Sequence, residues 1–440
     1  MKRFLLAFFS ILSVISAESQ SGFEFDDGIE RVEIPFKSAY NLIILPVKVS
    51  GVELNMILDT GASKSIIFNF SGIDSLSVQS GKLLKVNGYG DLDYFEAYYS
   101  ENNTIELNGY TNHKANLFIA AEKEVNLEPT MGITVHGLLG TDFFQNALIE
   151  LDYLNQKIIV VKNRSSIDYK LKRMSKIPMI FKDGRPYIFG DVFNGLNNYE
   201  SELLIDIGSG DALWLFDMNP DFKLNNASFE DYLGIGMNGE IYGTRSKMKR
   251  LSIAGFVLQD ITVSLPSDQI STYNESNEVN GGSIGGEVLR RFEVIFDYQS
   301  SSLYLKPNEN LANGFFYNMA GIEINAGEKE LFVNIVNTST TGRVYNREVE
   351  GVNTISSVDR YSYNMMPKLY VGYVRPDSPA QIAGIMVGDE IVGINYKKKG
   401  RFSLNDVASR FYKKPYSKVR LKVKRDDRIL RFTIKLIPLI

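Results

Sequence analysis

The 440-residue chain has no cysteine, only two histidines and a single tryptophan. Without cysteine there is no thiol catalysis, no disulfide, no thiolate metal centre and no lipidated N-terminal cysteine. His113 and His136 are too few for a His-rich metal site, so no metal and no cofactor is expected. Uninterrupted apolar runs long enough to span a bilayer are also missing. The longest candidate, Phe4 to Ile15, follows Lys2-Arg3 and precedes Ser16-Ala17, which is the pattern of a secretory signal over residues 1–17. The expectation is an exported protein of the periplasm, cell envelope or medium, with no stable membrane insertion. Net charge is small at −4, but residues 395–440 hold 15 Lys and Arg against 3 Asp. With no nucleic-acid motif beside it, that charge reads as a solvated basic face, and no nucleic-acid partner is expected.

What is present is a repeat. Leu58-Asp59-Thr60-Gly61-Ala62-Ser63 returns as Ile205-Asp206-Ile207-Gly208-Ser209-Gly210. His136-Gly137-Leu138-Leu139-Gly140 returns as Ser283-Ile284-Gly285-Gly286, and Ile149-Glu150-Leu151-Asp152 as Val294-Ile295-Phe296-Asp297. The aspartates of the first pair are 147 residues apart, the glycines Gly140 and Gly285 are 145 apart, and Asp152 and Asp297 are 145 apart. So constant an offset marks two copies of one unit. Runs of β-branched and aromatic residues broken by Gly, Asn and Asp dominate to about residue 310, giving two mostly β lobes, 18–165 and 166–310. Residues 18–30 read as a loose polar leader.

From residue 311 the character changes. Leu369 to Val374 reads as a strand, and Ser378-Pro379-Ala380 opens a short helix ended by Gly384. Gly388-Asp389 makes a turn into the strand Glu390–Asn395. Ser403 caps a helix to about Lys413 with Asp406 completing a capping box. Alternating Val419, Leu421, Val423 and Leu430, Phe432, Ile434 close the chain as a hairpin.

These motifs resemble bacterial exported aspartyl proteases that carry a C-terminal PDZ domain, with the two lobes similar to retropepsins fused head to tail. The resemblance covers nearly the whole mature chain. It implies a mostly β, bilobal aspartic-protease fold followed by a PDZ-like α+β domain over 311–440, with an insertion at about 325–368. It implies a monomer, since both aspartates lie in one chain, acting on polypeptide substrates. Asp59 and Asp206 are the expected catalytic dyad: two carboxylates about 3 Å apart share one proton, so one activates water while the other protonates the carbonyl. Gly61 and Gly208 allow the tight turns and the approach of substrate. Ser209 can donate a hydroxyl to Asp206 and Ala62 cannot do so for Asp59, so the expectation is charge on Asp206 and the proton on Asp59. In the family a threonine after each aspartate interlocks across the axis. Thr60 fits that role and Ile207 departs from it, which leaves a non-catalytic, peptide-binding scaffold as the alternative function.

By the same resemblance two glycine-punctuated hairpins, Val86–Asp91 and Gly234–Gly243, are candidates for covering substrate or bracing the lobes, with Tyr89 and Gly90 at the first tip. His136 reads as a loop residue near the cleft; no nucleophile-elbow pattern accompanies it. Asp152 and Asp297 read as turn-binding strand ends, and Trp214 as core. A glycosidase using the two carboxylates lacks any further sugar-site feature. In the PDZ-like part a C-terminal peptide would add as a strand beside the Ser403–Lys413 helix. The turn Met319-Ala320-Gly321-Ile322, followed by Ile324, would hold its carboxylate, and the long insertion would shape or block that groove.

Overall fold

The computed structural model describes residues 22–78, 81–86, 94–120, 125–216, 224, 226–267, 281–338 and 358–440. The expected signal segment 1–17 and the tip residues Tyr89 and Gly90 lie outside the described residues. Among the described residues no helix is long and apolar enough to cross a membrane.

Strands dominate, as the β-branched runs predict. Leu42–Val49 and Val52–Leu58 form a hairpin whose turn residues Ser50 and Gly51 both have positive φ, the twist that suits a two-residue connection. The corresponding hairpin in the second lobe pairs Arg185–Phe193 with Asn198–Ile205. Each aspartate leaves the end of the second strand of its hairpin. A short strand then runs parallel to that strand: Gly137–Leu139 beside Val52–Leu58, and Gly281–Ile284 beside Asn198–Ile205. The repeat seen in sequence is therefore a repeat of strand pairing.

The lobes are joined beneath these loops by one six-stranded sheet. Leu148–Asp152 of the first lobe pairs antiparallel with Phe292–Asp297 of the second, flanked on one side by Lys157–Val161 and Arg31–Pro35 and on the other by Ser302–Pro307 and Ser175–Pro178. One hydrophobic core runs through both lobes, including Leu139, Phe143 and Ile149 with Ile205, Ile207 and Phe296. Asp152 and Asp297 accept from the N–H of Asn155 and Ser300, the turn-binding role expected of them. The leader differs from expectation where it is described. Phe23 is fully buried and stacks on Tyr110, and Glu24–Phe25 pairs with Tyr110–Thr111, because two aromatic anchors outweigh the polar residues around them.

The C-terminal part has its own core of Met319, Ile322, Ile324, Val371, Val407, Phe411 and Val423. Its helices Pro379–Ala383 and Leu404–Ala408 are capped by Ser378 and Ser403, the latter in a full capping box with Asp406. The second helix is shorter than the expected reach to Lys413. Arg410 and Phe411 bond three residues back rather than four, and the Phe411 carbonyl accepts from Met319 N–H instead of continuing the helix. The expected insertion is the outer length of a long hairpin, Ile322–Thr338 paired with Val358–Val374. The approach to this part is pinned by buried Arg291, which donates to the carbonyls of Asn310, Asn313 and Gly314 and faces the Phe315 ring.

Candidate active site

Both aspartates are set by the same backbone geometry. Asp59 N–H donates to Leu139 O and Asp206 N–H to Ile284 O, each at 2.9 Å, so each loop is tied to its parallel strand. Gly61 N–H then donates to Asp59 Oδ1 at 2.7 Å, and Gly208 N–H to Asp206 Oδ1 at 3.0 Å. The two carboxyls meet: a Cβ placed on Gly61 would stand 3.0 Å from Asp206 Oδ1 and 3.1 Å from Asp59 Oδ1. A Cβ on Gly208 would strike the Asp59 carboxyl outright. Glycine at these two positions is thus required by the approach of the opposite carboxylate.

Behind the carboxyls the lock is one-sided. Thr60 Oγ1 donates to Ile205 O at 2.5 Å and accepts from Ile207 N–H at 3.1 Å. Ile207 makes no return bond and instead is buried in the shared core. An apolar side chain there strands no polar side-chain group of its own, and dispersion contacts replace the hydroxyl's bonds.

Burial raises the pKa of both carboxyls. For Asp206 the charge of Asp59 adds to burial and lifts it well above the ordinary range. For Asp59, burial is opposed by the N–H groups of Gly61 and Ala62 and by the hydrogen bond to Asp206. The geometry thus favours the shared proton on Asp206 and the charge on Asp59, although the titration belongs to the pair. This reverses the expectation drawn from Ser209, which meets the Asp206 carboxyl through its backbone N–H, the counterpart of Ala62. Among the described residues no hydroxyl bond from Ser209 to Asp206 is formed.

Around the dyad, the strands leading to the first hairpin, Lys82–Val86 and Phe95–Leu107, are paired. The second hairpin is described throughout, as Phe229–Gly236 and Gly239–Ile253. Its tip residue Met237 packs on a first-lobe cluster of Ile44, Ile57, Phe68 and Met131, so this hairpin braces the lobes. His136 is buried: Nδ1 accepts from Asn55 N–H at 2.9 Å, which leaves Nε2–H to donate to Ser71 O at 3.1 Å. It is a structural brace with both nitrogens engaged. Trp214 is buried as expected and donates to Asp211 Oδ2. Among the described residues no group of His, Cys, Asp or Glu is arranged to hold a metal ion.

In the C-terminal part, Gly321 takes a left-handed φ of 72°, and Ile322 and Ile324 turn inward to the core. The Gly321 N–H is taken by Asn318 Oδ1 and the Met319 N–H by Phe411 O, so two donors of the expected carboxylate turn are already used. The groove side also faces the lobes. Glu128 in the short first-lobe helix Glu128–Met131 pairs with Lys329 at 3.0 Å, and Gly132 packs against Leu404. The block is thus made by the lobes, where the sequence had pointed to the insertion.

One constellation has no signal in the sequence, because its members come from remote segments. Arg245 Nε donates to Asp231 Oδ2 at 2.7 Å, and its Nη1 lies 3.2 Å from Asp211 Oδ1. Arg375 of the C-terminal part lies 3.2 Å from Asp231 Oδ1 and donates to Asn318 O. Asn318 in turn donates to Glu323 Oε1 at 3.1 Å. A chain of charge thus runs from the second aspartate loop, through the bracing hairpin, to the Gly321 turn.

Comparison with known proteins agrees with this architecture. A family model described as aspartyl protease matches residues 45–143, and one described as PDZ domain matches residues 346–436. The first match includes Asp59 and stops short of Asp206. No curated protein matches. Among solved structures, the aspartic proteinase from Irpex lacteus aligns over 64% of this chain and 99% of its own at 14% identity, with a TM-score of 0.41. The chain joins an aspartyl protease domain to a C-terminal PDZ domain, in a mostly β fold.

Proposed function

We propose that this protein is an exported, monomeric aspartic endopeptidase whose dyad is Asp59 and Asp206, with the PDZ domain presenting polypeptide to the cleft. The observation that carries this reading is the convergence of two half-buried carboxyls on one point, each held by a glycine N–H and each raised in pKa by burial. Such a pair holds one proton at working pH. A water between them gives a proton to the Asp59 carboxylate as its oxygen attacks the peptide carbonyl, and Asp206 protonates the carbonyl oxygen. Collapse of the tetrahedral intermediate returns a proton to the departing amine, so the dyad ends as it began. Gly61 and Gly208 leave room for the substrate backbone above the carboxyls.

The test is cleavage of unfolded casein from pH 3 to 8 by wild type and Asp206→Asn. Loss of at least about a thousandfold in the variant is expected, since general acid and base are removed together. The one-sided Thr60 lock supports the second reading, a peptide-binding scaffold without turnover. Absence of cleavage by verified folded wild type across the whole range would establish that reading instead.

A further inference from the structure

Between the PDZ domain and the lobes lies a recess that the dyad does not use. Its walls come from three parts of the chain: Tyr40 of the first lobe, Asp231 and Tyr232 of the bracing hairpin, and Glu323, Tyr373 and Tyr412 of the PDZ domain. Glu323 is the common neighbour of the four tyrosines. Burial raises the pKa of each hydroxyl, and the nearby Glu323 carboxylate adds to it in every case. Tyr412 keeps 38% of its surface exposed and Tyr373 keeps 37%, so solvent reaches the recess. The Tyr40 hydroxyl is buried and meets no hydrogen-bond partner among the described residues.

The charges of the recess do not balance. Asp211, Asp231 and Glu323 face Arg245 and Arg375. Both arginines are committed elsewhere, Arg245 to Asp211, Asp231 and Ser264, and Arg375 to Asp231 and Asn318 O. Glu323 forms no ion pair among the described residues and has only the Asn318 amide. A carboxylate left over among aromatic walls is the chemistry that receives a cation: the carboxylate matches the charge and the ring faces attract it.

The recess also adjoins the cleft. Asn41, next to Tyr40, donates Nδ2 to Gly210 O at 2.8 Å, in the loop that carries Asp206. A Cβ on Gly210 would collide with Tyr40 O, so this turn lies directly against the aspartate loop. A polypeptide crossing the dyad meets the recess on leaving the second loop.

We propose that this recess is a substrate subsite that seats one lysine or arginine side chain, its cationic head on the Glu323 carboxylate and its stem against Tyr40, Tyr232 and Tyr412. The PDZ domain thereby supplies a specificity residue to the peptidase. The proposal rests on the peptidase reading for its substrate, but its binding step does not need turnover.

The test uses full-length protein carrying Asp59→Asn, which removes cleavage, and a series of fluorescent decapeptides. Each peptide has one lysine moved along an otherwise neutral sequence, with norleucine at the same position as control. Anisotropy at pH 8 should show one position where lysine binds about tenfold tighter than norleucine. Adding Glu323→Gln should bring that ratio to about one. Lowering the pH makes the same change without a mutation. Burial, with Asp231 adding to it, puts Glu323 at about 7 despite Asn318, Arg245 and Arg375, so the lysine advantage should fade below neutral pH. No lysine advantage at any position, including no binding at all, overturns the proposal, as does an advantage that survives Glu323→Gln. A lysine advantage in a protein whose wild type never cleaves would keep the subsite and remove the peptidase. Cleavage by wild type with no such advantage would do the reverse.

Discussion

Two carboxyls pressed together at the base of a cleft act on stability as well as on chemistry. The folded-state pKa of Asp206 is raised by burial and by Asp59, so its contribution to stability is fully present below the unfolded carboxylate value and is lost as pH rises through the folded one. At neutral pH the pair therefore weakens the fold. Asp206→Asn is expected to raise Tm by about 2–4 °C at pH 7 and by little near pH 3, which differential scanning calorimetry at both values would measure. The lock behind the carboxyls sits at the same scale. Thr60→Val removes one buried donor and acceptor and strands Ile207 N–H, for a cost of about 1–3 kcal/mol in chemical denaturation. If Thr60→Val unfolds at the wild-type denaturant midpoint, the lock contributes nothing.

Strands and hairpins were largely legible beforehand. The repeat of aspartate, parallel strand and strand-end aspartate became paired strands in the same order, because each motif is local and short-range chemistry decides it. The caps at Ser378 and Ser403 were legible for the same reason. What failed depended on partners far along the chain. The Leu404 helix stops early because a distant Met319 N–H takes the Phe411 carbonyl, and Phe23 is buried because Tyr110 and Phe143 receive it. The role of Ser209 also turned on reach rather than residue type. The bracing hairpin makes a prediction at this scale. Met237 is only partly buried against Met131 and its neighbours. Met237→Ala should therefore cost about 1–2 kcal/mol, below the range for fully buried methionines, as read from a urea midpoint. An unchanged midpoint would mean that the tip does not hold the lobes.

At the scale of the whole molecule, the PDZ domain is anchored by charge at one side and lightly tethered at the other. Asp231 serves both Arg245 and Arg375, which are nine-tenths buried or more. Asp231→Ala leaves two guanidiniums short of a partner and should destabilise the docked state by about 3–5 kcal/mol. Glu128→Ala breaks only the accessible pair with Lys329 and should cost about 1 kcal/mol or less. Limited proteolysis between the lobes and the PDZ domain reads both: rapid cutting for Asp231→Ala, near wild-type rates for Glu128→Ala. Equal rates for the two would mean that the charge chain does not hold the domains together. None of this was legible in the sequence, since an ion pair between residues 231 and 375 leaves no trace in local pattern.

The one-sided lock has a further meaning. A site assembled from two identical chains must carry the same residue on both sides of its axis, so a change on one side is a change on both. Here residues 60 and 207 are inherited separately, and threonine on one side has left the other free to become isoleucine. Fusion into a single chain turns a symmetric ancestor's constraint into an option, and each half becomes able to specialise: one in holding the backbone lock, the other in meeting the domain that follows it.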